Sequence, residues 1–526
     1  MSDGSTFSAP HADLEERAIL DLQADLTSGK LSARELTQAY LDRISALNTD
    51  WPMLRAAIET NPDALAIAEQ LDGERRSGQV RGPLHGIPIL IKDNIDSADQ
   101  MLTTAGSLAL RDSRPIEDAT MTARLRAAGA IVLGKANLSE WANFRSTSSS
   151  SGWSGRGGQC LNPYQLDRTP SGSSSGSGVA AAANLAAGTL GSETDGSILS
   201  PSNASGVVGI KPPVGLTSRA GVIPISASQD TVGPQTRTVA DAAIILAAVA
   251  GRDPRDAATL TGPVIDWNLE TLLDRDGLRG ARIGVARTAY WGSNGKTDEV
   301  AENALQVLRD AGAELIDPAN IPTALEIAGG WPPSKDDPRL TVLLYEFKDG
   351  LNRYLAGRSS EVKTLADLIA FNNEHAELEM PFFRQEIFEM AEECGPLTDA
   401  RYLEALARNQ RVSREEGIDA VLREHRLDAL VMPTSGPASK IDFVSGGGGG
   451  GASPSTPAAL AGYPAITVPM GFVYGMPVGL CFLGTAWSEP TLIKLAYAYE
   501  QASLARRRPT YTPAGVLPPS RDRISW

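Results

Sequence analysis

The stretch Gly86-Ile-Pro-Ile-Leu-Ile-Lys92 decides the fold of this chain. It is a short, continuous apolar run that follows a turn and ends in a lysine, and such a run predicts a β-strand buried on both faces. Farther along, a predicted helix over 121–128 stops at Gly129 and is followed by a predicted strand over 130–133. Residues 304–316 repeat this order of helix, glycine and strand. The alternation predicts a layered α/β fold with a largely buried sheet.

The same kinds of signal predict elements at both ends of the chain. Ser32 and Glu35 are spaced as a capping box at the start of an amphipathic helix over 31–47. Thr238 and Asp241 have the same spacing at the start of an apolar helix over 240–250. Near the C-terminus the predicted elements are a β-hairpin of strands 465–470 and 477–483 and a helix over 489–505.

Composition limits the classes of protein. The chain has 526 residues, of which 42% are apolar and 21% are charged, so a sizeable core is possible and a disordered or fibrous protein is excluded. The 48 Lys and Arg against 63 Asp and Glu give a net charge of −15, which argues against a nucleic-acid partner because such binding depends on cationic side chains. Four His and three Cys offer few metal ligands and few bases for a Ser-His-Asp triad. We therefore expect a soluble globular protein.

The cysteines and the N-terminus bear on the compartment. Cys160, Cys394 and Cys481 are odd in number, widely separated and without C-x-x-C spacing, which predicts reduced thiols rather than disulfides or a zinc site. The polar, acidic N-terminus shows no apolar core of a signal peptide, although a cleaved leader could already be missing. The most apolar run, 242–250, is far shorter than the ~20 residues that span a bilayer. The expected location is the cytoplasm, with no membrane partner.

Two motifs match known sites in letters only. Gly446 to Gly451 satisfies G-x-G-x-x-G, but no strand precedes it and no helix follows, so a flexible loop is the prediction. Ser174 satisfies G-x-S-x-G, the nucleophile elbow of α/β-hydrolases. An elbow needs a hydrophobic strand directly before it, which is absent here, and only His375 and His425 follow as possible bases. We expect these histidines to be structural or solvent-facing.

Three features remain as candidates for chemistry. Residues 146–209 are rich in Ser and Gly around an apolar helix predicted over 179–186, a composition typical of a binding site built from backbone groups. Lys92 ends a buried strand, and desolvation of its ammonium would lower its pKa enough for the amine to act as a base. The alternative is that Lys92 curls out to solvent or pairs with Asp93. Ser197 follows Asp-Gly in a turn whose backbone N–H groups could form an oxyanion hole.

Six stretches in the same order along the chain resemble the amidase signature family of serine amidohydrolases. They are 86–94 (GIPILIKDN), 134–140 (GKANLSE), 172–177 (GSSSGS), 193–198 (ETDGSI), 206–212 (GVVGIKP) and 462–469 (GYPAITVP). The resemblance covers about residues 31–505 and implies one amidase domain, over 1–526, with the α/β amidase signature fold: a large mixed central β-sheet covered by α-helices on both faces. Within it we expect an N-terminal helical segment at about 12–50, a catalytic core at about 80–260 and a C-terminal part at about 277–505.

The resemblance also implies the residues of the active site. Ser197 would be the nucleophile that forms an acyl-enzyme, Ser173 the bridging serine and Lys92 the neutral base. The two serines are 24 positions apart, as in the family, where a cis peptide bond holds the bridging serine, here Gly172–Ser173. The oxyanion would be bound by the backbone N–H groups of Thr194, Asp195, Gly196 and Ser197. Neither a metal nor a cofactor is expected.

Some positions depart from the family pattern. Asp195 stands where most members carry Gly, Ser175 where many carry Gly, and Pro213 where many carry Thr. The first two also occur in bacterial peptide amidases, whereas Pro213 has no interpretation. Asn143 aligns with a position that lines the acyl pocket in relatives, so it is a candidate substrate-binding residue.

Four further stretches, 141–145, 151–159, 345–348 and 484–490, resemble the bacterial peptide amidases within the family. This resemblance implies hydrolysis of the C-terminal carboxamide of peptides with release of ammonia. Two alternatives stay open: an amidase for small aryl or aliphatic amides, and a subunit of a glutamine-dependent tRNA amidotransferase, against which the net charge and these stretches argue. The expected partner is a small-molecule or peptide amide substrate, and the expected assembly is a monomer or homodimer.

Overall fold

The structure, a computed structural model, describes residues 9–329, 334–446 and 452–514. Within these ranges an 11-stranded sheet forms the centre of the fold, and a two-stranded ribbon lies apart from it. In chain order the strands are β1 (Ala57–Thr60), β2 (Pro88–Lys92), β3 (Ile131–Ala136), β4 (Trp153–Ser154), β5 (Gly158–Gln159), β6 (Gly188–Glu193), β7 (Val208–Lys211), β8 (Thr231–Thr236), β9 (Arg282–Val285), β10 (Glu314–Ile316), β11 (Ala429–Pro433), β12 (Ala465–Val473) and β13 (Met476–Leu483).

Helices connect most of these strands. In chain order the α-helices are α1 (Ile19–Ser28), α2 (Ala33–Ile44), α3 (Ala64–Arg76), α4 (Thr120–Ala127), α5 (Ser175–Ala182), α6 (Leu199–Ala204), α7 (Val239–Val249), α8 (Leu269–Leu272), α9 (Gly295–Asp310), α10 (Ala324–Ile327), α11 (Pro338–Ala356), α12 (Leu365–Glu374), α13 (Ala376–Glu379), α14 (Glu386–Glu392), α15 (Ala400–Ser413), α16 (Asp419–His425), α17 (Ser455–Ala461) and α18 (Glu489–Ser503). Short 3₁₀ turns lie at Ala12–Leu14, Leu108–Leu110, Glu140–Asn143 and Ala257–Leu260, and π turns lie at Ser45–Thr49 and Arg414–Ile418.

The central sheet is mixed, as predicted. Its strand order is β1-β3-β2-β6-β8-β7-β12-β13-β11-β9-β10. Strand β2 is parallel to both of its neighbours, β3 and β6, whereas β8 runs antiparallel to β6 and β7. Strands β2, β3, β6, β7, β8, β11 and β13 are buried along their whole length. Because successive side chains of a strand point to opposite faces, this burial means that both faces of the sheet are covered.

The decisive stretch forms the strand that its pattern predicts. Residues 88–92 are β2, all five of them buried, and Lys92 is its last residue. The helix and strand predicted around Gly129 are α4 and β3, which begin and end within a few residues of the predicted bounds. The C-terminal hairpin is β12 and β13, which pair in antiparallel register up to the turn at 474–475. The capping box at Ser32 and Glu35 is present at the start of α2.

Three helix predictions differ from the structure. Helix α9 begins at Gly295 rather than near 304 because the Asn294 side chain accepts hydrogen bonds from two backbone N–H groups of its first turn. Helix α5 begins and ends earlier than predicted, at 175 and 182, and the chain turns at Asn184, whose φ is 56°. At α7 the Thr238 hydroxyl caps as predicted, but the Asp241 carboxylate accepts from the Ile19 N–H and so completes no capping box.

Other sequence expectations are met or fall outside the described ranges. Cys160, Cys394 and Cys481 are free thiols, the first and third buried. None of the helices in the described ranges combines the length and the apolar character that crossing a bilayer requires. Gly446 lies in a loop, while residues 447–451 of the glycine run lie outside the described residues.

Candidate active site

Lys92 lies at the carboxyl end of β2 with no exposed surface. Its Nζ is 2.8 Å from the Ser173 hydroxyl oxygen, 2.9 Å from the Ser192 hydroxyl oxygen and 3.2 Å from the Ser192 carbonyl oxygen. Lys92 therefore does not curl out to solvent. It does not pair with Asp93 either, because that carboxylate accepts hydrogen bonds from the Thr104 hydroxyl and the Gly106 N–H.

The environment of Lys92 favours its neutral form. Burial lowers the pKa of Lys92 to about 7, although the negative charges of Asp230 and Glu193 act in the opposite direction. A neutral amine has two N–H donors and one lone pair. The two oxygens of Ser192 can take both donors, which leaves the lone pair for the Ser173 hydroxyl proton. The site thus presents an amine suited to accept a proton from Ser173 near pH 7.

Ser173 lies two residues before the start of α5, and the peptide bond between Gly172 and Ser173 is cis, as the resemblance implied. The neighbouring Ser174 is fully buried, and its hydroxyl donates to the Ser192 carbonyl at 2.9 Å. An elbow nucleophile must expose its hydroxyl to substrate, so Ser174 does not have the required placement. Its backbone N–H donates to the Ser197 carbonyl at 3.1 Å and ties the two serine segments together.

Ser197 lies in the turn that joins β6 to α6. Glu193, the last residue of β6, accepts hydrogen bonds from the backbone N–H groups of Ile198 at 2.6 Å and Leu199 at 2.9 Å. The turn passes through Gly196 at a φ of 86°, where a Cβ would lie 3.0 Å from the Ser200 hydroxyl oxygen. The buried carboxylate therefore fixes the start of α6 and, with it, the position of Ser197.

Of the four backbone N–H groups predicted to bind the oxyanion, at residues 194–197, one already contacts the protein. The Gly196 N–H is directed at the Glu193 carboxylate. Burial raises the pKa of Glu193, and the hydrogen bond from Gly196 acts in the opposite direction. In the part of the chain that the structure describes, the backbone N–H groups of Thr194, Asp195 and Ser197 donate to no protein acceptor. The Thr194 side chain is held by a 2.6 Å hydrogen bond to Asp230. Three amides near the Ser197 side chain are thus available to a ligand.

A cavity of about 280 Å³ opens above this turn, and Thr194, Asp195 and Ser197 lie in its wall. We name it the Ser197 cavity. One side of it is apolar, formed by Phe144, Ile225, Leu340, Leu343 and Leu460. The sequence-predicted Asn143 also lies in this wall; its Nδ2 donates to the Ser151 hydroxyl at 3.1 Å, and its Oδ1 is buried without a partner among the described residues. The cavity joins an apolar surface to a few polar groups, as ligand sites do.

Asp195, the departure from the family pattern, faces the Ser197 cavity. Its carboxylate accepts a hydrogen bond from the Ser455 hydroxyl at 2.6 Å, at the first residue of α17. Desolvation by the surrounding protein raises the pKa of the Asp195 carboxyl. The hydroxyl groups of Ser455 and Thr456, which donate hydrogen bonds to it, act in the opposite direction. Pro213 follows β7 and is buried, and nothing in the structure explains why it replaces the common Thr.

Sequence reasoning missed three residues of the site. Ser192 holds the Lys92 amine, and Asn94 donates to the Ser192 hydroxyl at 2.9 Å. Asn94 lies inside the stretch 86–94 and Ser192 directly precedes the stretch 193–198. Their closeness in sequence to Lys92 and Ser197 is the signal from which they could have been predicted. Asp230 lies in no motif; it directly precedes β8, and the antiparallel pairing of β8 with β6 sets Thr231 opposite Glu193 and so brings Asp230 to Thr194.

Known proteins resemble this chain over nearly its whole length. A model described as Amidase matches residues 35–493. The solved structure of native peptide amidase from Stenotrophomonas maltophilia is 52% identical in sequence, with a TM-score of 0.89 over 94% of this chain and 98% of that chain. A probable amidase of Arabidopsis thaliana is 43% identical over 96% of this chain and 93% of the relative. A glutamyl-tRNA(Gln) amidotransferase subunit of Cyanothece sp. is 35% identical over 92% of this chain and 98% of the relative.

These similarities span nearly the whole chain and include the stretches that carry Lys92, Ser173 and Ser197. The chain belongs to the Amidase family and is an amide-hydrolysing enzyme.

Proposed function

We propose that the protein hydrolyses the C-terminal carboxamide of peptides through an acyl-enzyme on Ser197. The observation that carries the mechanism is the hydrogen bond between the Lys92 amine and the Ser173 hydroxyl beside the Ser197 cavity. A base with a pKa of about 7 can take a proton at neutral pH without the imidazole of a Ser-His-Asp triad.

In the first half-reaction the Lys92 amine accepts the Ser173 proton while Ser173 accepts the proton of Ser197. The Ser197 Oγ attacks the amide carbonyl carbon, and the negative charge that develops on the carbonyl oxygen is stabilised by the N–H groups of the 194–197 turn. Collapse of the tetrahedral intermediate breaks the C–N bond. The proton returns through Ser173 to the nitrogen, which leaves as ammonia.

In the second half-reaction water attacks the ester carbonyl of the acyl-Ser197. Its proton passes to Lys92 through Ser173, the C–O bond to Ser197 breaks, and Ser197 regains a proton. The products are a carboxylic acid, which releases its proton to solvent and becomes a carboxylate, and the resting enzyme. Each proton given to Lys92 is returned within the same half-reaction, so the cycle needs no other acid or base.

The choice of a peptide substrate is supported by the identity of 52% to a solved peptide amidase over 94% of this chain. The apolar side of the Ser197 cavity supports it as well, since Phe144, Leu340 and Leu343 offer a surface for the side chain of the acyl residue. Asn143 and Asp195 also line the cavity, and their polar side chains suit the amide end of the substrate.

A substrate panel with mass detection tests this proposal. It compares peptide amides, anilides and simple aliphatic amides, with intact internal peptide bonds as the control. We expect loss of the terminal amide as ammonia and no internal cleavage. Preference for anilides or aliphatic amides would instead support a general amidase, and glutamine hydrolysis that requires a copurifying partner protein would support a role in an amidotransferase complex.

A further inference from the structure

A second cavity of about 300 Å³ adjoins the Ser197 cavity, and we name it the hydroxyl cavity. The side chains that define it are Ser171, Ser200, Ser293, Ser435 and Ser439. In the described part of the chain none of these five hydroxyl groups makes a hydrogen bond to the protein. They are therefore free to donate to and accept from a bound molecule.

The hydroxyl cavity carries no charge. Its polar wall consists of hydroxyl and carboxamide side chains, among them Asn203 and Asn294, and no Lys, Arg, His, Asp or Glu side chain of the described residues lines it. A free carboxylate or ammonium would find no counterion there, and burying it would be costly. A neutral ligand with alternating donors and acceptors would find partners, and a peptide backbone is such a ligand.

The two cavities meet at Ser151 and Ser200, which line both of them. Ser200 lies three residues after Ser197, in the first turn of α6, where its N–H donates to the Gly196 carbonyl at 2.8 Å. A substrate whose carbonyl carbon sits at Ser197 therefore needs to extend past Ser200 to enter the hydroxyl cavity.

We propose that the hydroxyl cavity is a subsite for the peptide backbone on the N-terminal side of the acyl residue. This inference rests on the proposed function, in which the leaving group is ammonia. Ammonia needs no cavity, so a polar space of this size beside Ser197 serves the acyl side of the substrate. The acyl side chain then occupies the apolar wall of the Ser197 cavity while the preceding residues run along the hydroxyls.

The first test uses the unmodified enzyme and a series of primary amides of increasing length. We compare kcat/KM for acetyl-leucine amide, acetyl-alanyl-leucine amide and acetyl-alanyl-alanyl-leucine amide. Two or three added hydrogen bonds predict an increase in kcat/KM of about tenfold or more from the shortest to the longest amide. Equal kcat/KM along the series would overturn the subsite.

The second test blocks the cavity from its solvent side. Ser293 and Ser435 are exposed, so Ser293→Trp and Ser435→Trp fill the cavity without entering the core. In each variant we expect the ratio of kcat/KM for the longest to the shortest amide to fall about tenfold. Ser77→Trp, at an exposed position beyond the end of α3, is the matched control and should keep the wild-type ratio.

The outcomes separate this inference from the proposed function. Hydrolysis of acetyl-leucine amide with no effect of length or of the two tryptophan variants would overturn the subsite and leave the function standing. Failure to hydrolyse peptide amides of any length would overturn the function itself. The tryptophan variants could instead change kcat/KM for leucine anilides and leave the ratio between long and short amides unchanged. The cavity would then bind the leaving group, which would overturn the proposal.

Discussion

The amine of Lys92 and the hydroxyl of Ser173 lie 2.8 Å apart in a region with no exposure to solvent for either residue. This contact gives the Ser173 hydroxyl a base with a pKa of about 7 as its hydrogen-bond partner. The chemistry proposed here depends on the amine being neutral when substrate binds.

The pH profile should therefore rise through the pKa of Lys92. Below about pH 7 the amine is protonated and cannot accept the Ser173 proton; above it the amine is neutral, so kcat/KM should climb and then level off. Lys92→Met keeps a similar volume and should lower kcat/KM by about 10²–10⁴-fold. A flat profile between pH 5.5 and 9, or a Met variant near wild type, would remove Lys92 from the mechanism.

Asp230 should tune this profile. Its negative charge raises the pKa of Lys92, and burial raises the pKa of Asp230 itself to about 6, so Asp230 is mostly ionised when Lys92 titrates. Asp230→Asn removes the charge and should move the rising limb of kcat/KM to lower pH. It should also lower kcat because the bond to the Thr194 hydroxyl weakens. If the rising limb of kcat/KM stayed in place or moved to higher pH, Asp230 would not raise the pKa of Lys92. The control is Thr194→Val, which removes the hydrogen bond to Asp230 but keeps the Asp230 charge.

Asn143 should contribute to substrate binding through its buried Oδ1. Its φ of 66° is left-handed, so Asn143→Gly removes the side chain at a backbone position that glycine tolerates. Loss of one hydrogen bond to the substrate amide predicts a decrease in kcat/KM of about tenfold, seen mainly as a higher KM. Asn143→Asp keeps an acceptor in place and should lose less. Unchanged kinetics in the Gly variant would mean that Asn143 only lines the cavity.

Ser32 should matter for stability and not for catalysis. Its hydroxyl accepts from the Glu35 N–H at 3.1 Å, and the Glu35 carboxylate accepts from the Ser32 N–H at 2.8 Å. Ser32→Ala removes the cap of α2 and should lower the free energy of unfolding by about 1 kcal/mol, measured by denaturant titration. Ser28→Ala, at the end of α1, is the comparison and should cost less; equal losses would mean that the capping box adds nothing.

Local patterns predicted the elements that carry the site. The apolar run before Lys92 predicted β2, and the Asp-Gly-Ser sequence predicted the turn that holds Ser197, because both depend on neighbours in sequence; strand β6, which leads into that turn, was not predicted. The resemblance then assigned roles to Ser173 and Ser197. The pairing of β7 with β12 joins residues more than 250 positions apart, and no local pattern contains that information. The contact of Asp230 with Thr194 depends on the same kind of long-range packing.

Helix boundaries were predicted less well where polar side chains decide them. Asn294 starts α9 about nine residues earlier than the apolar periodicity indicates, since its cap satisfies N–H groups of a polar first turn. Asp241 fits the spacing of a capping box, yet its carboxylate serves the Ile19 N–H across 222 positions. A polar side chain can form its hydrogen bond with a nearby or a distant backbone group. The sequence alone therefore does not determine where such a helix begins.

The most direct test of the proposed mechanism is to identify the residue that carries the acyl group. The enzyme is treated with a fluorophosphonate probe, digested, and analysed by mass spectrometry for the modified peptide. We predict one adduct, on Ser197, which is absent from Ser197→Ala and strongly slowed in Lys92→Met. An adduct on Ser173 or Ser174, or labelling of Ser197→Ala at the wild-type rate, would contradict the mechanism.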